Sequence, residues 1–143
     1  MNGIFIIIYL LFLVGSFLID RKMLQTAKTG IKLITSTFRR PTGEVLDPRI
    51  HHNNLLNSIL AKIQANAAGA DDALMLDSRG FIAETNATHV FFVRGKEIMT
   101  PFTHACPEGI TRGAVLDLCA QHRIPYEIRD ISIAEAYRAD EMF

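Results

Sequence analysis

The first 19 residues carry no charged side chain, and all 30 charges of this 143-residue chain fall from Asp20 onward. That asymmetry leaves one modest domain's worth of chain for a conventional water-facing fold. Ile4 to Ile19 is a run of 16 residues in which 13 are Ile, Leu, Phe or Val. As a helix it would span about 24 Å, or roughly 28 Å counted from Met1, against a hydrocarbon core of about 30 Å. No basic residue precedes Ile4, which disfavours a cleaved signal peptide. Arg21 and Lys22 follow the run, so an inserted segment would leave the rest of the chain on the cytoplasmic side. Two readings stay open for residues 1–19: a membrane anchor, and a stretch belonging to no folded domain. Residues 20–29 read as a linker.

Lys plus Arg equals Asp plus Glu at 15 each, so no basic surplus points to nucleic acid. Cys106 and Cys119 are too few for a disulfide framework and have no zinc-type spacing; they read as thiols in a reducing compartment. No metal site is expected. The adjacent His51 and His52 point in different directions, and His89 and His104 cannot be placed beside them from spacing alone.

From Gly30 to Phe143 the pattern is that of an α/β unit of the α+β type, a mainly antiparallel sheet with packed helices. The β-branched run Ile31 to Phe38 reads as a strand. Asn53 or Asn54 offers an N-cap to a helix running to about Ala68, with Gly69 as its stop. Leu56, Ile59, Leu60 and Ile63 recur at helical spacing and are expected to face the core. Ala73 to Thr100 then reads as an antiparallel meander, with turns at Ser78–Gly80 and Arg94–Lys96. A second helix follows Pro107, with Val115, Leu118, Cys119 and His122 on its inner face. Pro125–Ile131 reads as a strand, Ile133–Tyr137 as a short helix, and the last residues as the start of another strand.

Gly109-Ile110-Thr111 sits where a loop becomes a helix. Free backbone N–H groups and the positive end of the helix dipole favour an anion there, a phosphate above all. The plainer alternative is that Thr111 is an N-cap. Glu84 ends a strand before the polar turn Thr85-Asn86-Ala87-Thr88, and by itself reads as a solvated strand-end carboxylate. Asn86-Ala87-Thr88 is also a glycosylation sequon, relevant only on a lumenal chain.

Taken together, RIHHNNLLNSILAKIQANAAG, ALMLDSRGFIAETNATHVFFV, CPEGITR and ADEMF occur in an order that resembles the class-IV aminotransferases, which use pyridoxal phosphate. The resemblance runs from about Gly30 to Phe143 and implies part of that family's larger domain. It implies that Glu84 pairs with the cofactor's pyridine nitrogen, keeping the ring an electron sink. It implies that Gly109, Ile110 and Thr111 hold the cofactor phosphate. It implies amino-acid and 2-oxo-acid substrates, of branched-chain or D type, and a homodimer. At the position of the family's catalytic lysine this sequence has His51, which has no primary amine to attach the cofactor. Pro107 replaces a leucine that packs on the ring, and His89 replaces an asparagine. Neither the family's N-terminal domain nor its glycine-threonine phosphate loop has a counterpart in these residues. The expectation is a degenerate, inactive relative. The alternatives are a membrane-anchored interaction domain that keeps the scaffold, and one piece of a split enzyme.

Overall fold

The β-branched run after Gly30 forms strand β1 (Leu33–Arg39), but its neighbour lies parallel to it. The partner is β2 (Asp72–Leu76), with Leu33, Ile34 and Thr35 opposite Asp72, Ala73 and Leu74. Between them runs helix α1 (Leu56–Ala67), because parallel strands need a crossover long enough to return the chain to the same end. This computed structural model describes residues 30–44 and 46–143. The apolar segment 1–19 and the linker 20–29 lie outside the described residues. Among the described residues, no helix is long and apolar enough to cross a membrane.

Helix α1 corrects two expectations. It begins at Leu56, with Leu55 in the cap position and no side-chain cap from Asn53 or Asn54. It also buries Ala61 and Ala65, while Leu56, Ile59 and Ile63 are 61%, 50% and 57% exposed. The alanines pack with Ala70, Ala73 and Met75, and Ile34 lies against that cluster. Side chains this small let the helix backbone approach β1 and β2 closely. Gln64 on the same helix accepts hydrogen bonds from Ser36 Oγ at 2.9 Å and Thr37 N at 3.0 Å, fixing its register on β1. The predicted stop does hold. Gly69 has φ 65°, the Ala70 N–H reaches Ala65 O at 2.9 Å, and the Gly69 N–H reaches Asn66 O at 3.1 Å. That is the Schellman pattern, which favours glycine in the left-handed position.

Strand β3 (Ile82–Thr85) returns antiparallel to β2 and places Glu84 opposite Met75. The expected single meander ends here. Asn86 Oδ1 accepts the Ala73 N–H at 2.7 Å, and the Thr88 N–H bonds Thr85 Oγ1 at 2.8 Å. This turn takes the chain out of the first sheet, whose order is β1-β2-β3. Strands β4 (Phe92–Arg94), β5 (Glu97–Thr100), β6 (Tyr126–Ile128) and β7 (Glu141–Met142) form a second sheet. Its order is β6-β5-β4-β7, with β5 and β6 parallel and the other pairs antiparallel.

Leu74, Leu76 and Ile82 from the first sheet join Val90, Phe92, Met99 and Ile131 in one core cluster. The short helix α3 (Ile133–Ala136) packs on it and starts with a capping box between Ser132 and Glu135. Helix α2 (Ile110–His122) starts after Gly109, not at a Thr111 cap. Of its expected inner face only Cys119 is buried; Leu118 and His122 are exposed, and the second buried residue is Arg112.

Candidate functional site

Glu84 projects from the middle of β3 and is 8% exposed. Its Oε1 lies 3.0 Å from Nη2 of Arg40, the residue after β1. Arg40 is itself held: Nε donates to Ala105 O at 3.0 Å, and Nη1 donates to Ser58 Oγ on α1 at 3.0 Å. One guanidinium therefore ties β3 and α1 to the loop ahead of Cys106. Burial raises the Glu84 carboxyl to about 7 while the Arg40 charge acts in the opposite sense. The plain reading of Glu84 as a solvated strand-end group is thereby corrected.

Two clefts divide the residues that sequence reasoning singled out. The first, about 150 Å³, is lined by Arg40, His51, His52, Glu84 and Pro107, among others. His51, Glu84 and Pro107 thus line the same cleft. The second, about 340 Å³, is lined by Gly109, Ile110, Thr111, Phe91 and Phe143, together with His89. The helix start there has no side-chain cap, and Ile110 is 94% exposed, so the turn is open to solvent. The phosphate-type turn and the carboxylate thus open on different clefts.

His89 links the two. It lines the second cleft, yet its Nδ1 lies 4.0 Å from Glu84 Oε2 and 3.9 Å from the Cys106 sulfur. Burial, then the nearby Arg112 charge, lowers the His89 pKa. Burial and the Glu84 carboxylate push the Cys106 thiol up to about 12. The Arg112 guanidinium is buried and donates to Pro101 O at 3.0 Å. Arg40, Cys106 and Arg112 were not legible as site residues in the sequence. Nothing local in the sequence gives their partners.

Residues 14–143 match the family described as Amino-transferase class IV. The chain belongs to the class-IV aminotransferases. The match begins upstream of Gly30 and takes in the end of the apolar segment. The chain is 49% identical over 114 residues to branched-chain-amino-acid aminotransferase-like protein 2 of Arabidopsis thaliana, covering 80% of this chain and 20% of that protein. It is 39% identical over 115 residues to a putative branched-chain-amino-acid aminotransferase of Methanocaldococcus jannaschii, covering 80% of this chain and 40% of that one.

The fold is similar to the branched-chain aminotransferase of Thermoproteus uzoniensis solved with norvaline, with TM-score 0.77, 33% identity, and coverage of 80% and 39% of the two chains. An aminotransferase of Brucella abortus bound to the cofactor PLP gives TM-score 0.77 at 33% identity, with coverage of 80% and 41%. The chain therefore spans between a fifth and two fifths of the length of these relatives.

The family implies pyridoxal phosphate, and the residues present fit it only in part. A buried carboxylate, Glu84, and an uncapped helix start at Gly109–Thr111 are both present. Among the described residues no lysine amine stands at either cleft. Lys32, Lys62 and Lys96 are the lysines among the described residues, and none lines either cleft. The Lys62 ammonium bonds the Asp71 carbonyl and lies 2.8 Å from the Asp72 carboxylate. Between the two half-sites stands the His89 ring, packed on Gly109. Among the described residues, none is placed to hold the cofactor covalently in either cleft.

Proposed function

We propose that this chain is a branched-chain-aminotransferase-like segment that keeps the ring-facing carboxylate and phosphate-facing turn of the family's cofactor site but does not itself transfer amino groups. The observation that carries this reading is that His51 lines the Glu84 cleft, with no lysine among the described residues that line it. Imidazole can accept or donate a proton, but it has no primary amine to condense with an aldehyde. The second support is the separation of the Gly109–Thr111 turn from that cleft. The reaction from which the segment descends is amino exchange between an amino acid and a 2-oxo acid, and the relatives' names favour branched-chain substrates. The carboxylate and the turn then serve as a binding surface for anionic, ring-bearing ligands, held without a covalent bond.

The test is to incubate the purified chain with pyridoxal phosphate, reduce with borohydride and map the peptides. The expected result is scattered, substoichiometric labelling of exposed lysines such as Lys96, with no conversion of leucine and 2-oxoglutarate. A single near-stoichiometric adduct on one lysine, accompanied by transamination, would overturn the proposal.

A further inference from the structure

We propose that Glu84, His89 and Cys106 form a zinc site, with one coordination position left open to water or a small ligand. Glu84 Oε2, His89 Nδ1 and Cys106 Sγ all lie within 4.8 Å of one another. Two of the edges are 4.0 Å, from carboxylate to imidazole, and 3.9 Å, from imidazole to sulfur. Around a tetrahedral Zn²⁺, with Zn–S about 2.3 Å and Zn–N or Zn–O about 2.0–2.2 Å, such atoms sit about 3.3–3.6 Å apart. Closing the site shortens the two edges at His89 by about half an ångström each and the carboxylate–sulfur edge, which lies within 4.8 Å, by up to about 1.5 Å, a movement of side-chain torsions.

The surroundings orient the three ligands. Arg40 bonds Glu84 through Oε1 and leaves Oε2 turned towards His89. The same guanidinium holds Ala105 O, the carbonyl just before Cys106, so one side chain positions two of the three ligands. That is the role outer-shell partners play around protein-bound zinc. The His89 ring is fixed from the other side. Its Nε2 edge lies against the open face of Gly109, which directs Nδ1 towards the carboxylate and the sulfur.

The donor set selects the ion. One sulfur, one imidazole and one carboxylate oxygen suit Zn²⁺ or its probe Co²⁺, and do not suit Mg²⁺ or Ca²⁺, which take oxygen ligands. Binding replaces the thiol proton, and the carboxyl proton where Glu84 carries one: the S–H and O–H bonds break, the protons go to buffer, and the sulfur and oxygen lone pairs bond the metal. Arg40 and Arg112 are the facing positive charges, and they weaken the site without blocking Oε2. The inference does not rest on the reading of transaminase function, because the probe is the metal alone.

The full chain, stripped with chelator and kept reduced, is titrated with Co²⁺. The expected result is one equivalent bound, with the near-ultraviolet thiolate-to-cobalt absorption and the visible bands of a tetrahedral ion, displaced by one equivalent of Zn²⁺. Cys106→Ser should remove the thiolate absorption and Cys119→Ser should keep it. His89→Asn, with unchanged circular dichroism, should weaken binding at least about tenfold, as for outer-shell losses or more. A folded wild-type chain without thiolate-to-cobalt absorption would overturn the site. So would absorption that survives Cys106→Ser or vanishes with Cys119→Ser.

Discussion

The ring of His89 occupies the space a side chain on Gly109 would need: a Cβ there would sit 2.1 Å from Nε2. Gly109 also has φ 74° and ψ 123°, a conformation that only glycine adopts without strain. The glycine thus serves the packing of a neighbouring imidazole as well as the start of α2.

Gly109→Ala should therefore destabilise the chain through two separable effects. The backbone strain alone costs about 1–3 kcal/mol, and the clash adds to it. In the double variant with His89→Ala the clash disappears and the strain stays. Urea unfolding of the four species should give a coupling on the order of 0.5–3 kcal/mol. Additive losses would mean that the ring does not press on Gly109.

Glu84 makes stability depend on pH in the direction opposite to most carboxylates. Its folded pKa is raised to about 7 by burial, above the usual value of 4.5. The folded state then holds the proton more tightly than the unfolded chain. The contribution is full below about pH 4.5 and is lost as pH rises through about 7. Over that window it amounts to on the order of 1–3 kcal/mol. In chelator, Glu84→Gln should lose less stability between pH 5 and pH 8 than the wild type. Parallel profiles in denaturant melts would refute this.

The two faces of α1 should respond in the reverse of what residue size suggests. Ile59→Lys or Ile63→Lys should shift stability by no more than about 0.5 kcal/mol, because both side chains are half or more exposed. Ala61→Leu or Ala65→Leu should cost about 1–3 kcal/mol, because both alanines are fully buried against β1 and β2. Denaturant midpoints of the four variants decide the point.

His51→Lys restores an amine to the wall of the Glu84 cleft. Borohydride trapping should then place pyridoxal phosphate on residue 51. Turnover should stay absent, because the Gly109–Thr111 turn lines the neighbouring cleft and not the one that holds residue 51. Transamination by this single variant would show that the two clefts merge around the ligand.

Local sequence determined the elements. β-branched runs and turn residues located β1, β2, β3 and β5. Gly69 and the Pro107–Gly109 stretch marked where α1 ends and α2 begins, because caps and turns depend on φ/ψ preferences within a few residues. Motif order also identified the family.

Tertiary structure decided the rest. Both faces of α1 have helical periodicity, and only the closeness of two parallel strands selects the alanine face over the leucine and isoleucine face. The meander breaks because Asn86 bonds back to Ala73 across the sheet, a partner 13 residues away. Cys106 meets His89 across 17 residues, and Arg40 reaches Ala105 across 65. Contacts of that span are set by strand register and helix packing, which no local pattern encodes. The carboxylate, imidazole and thiol were therefore separate letters in the sequence, and the fold alone made them one cluster.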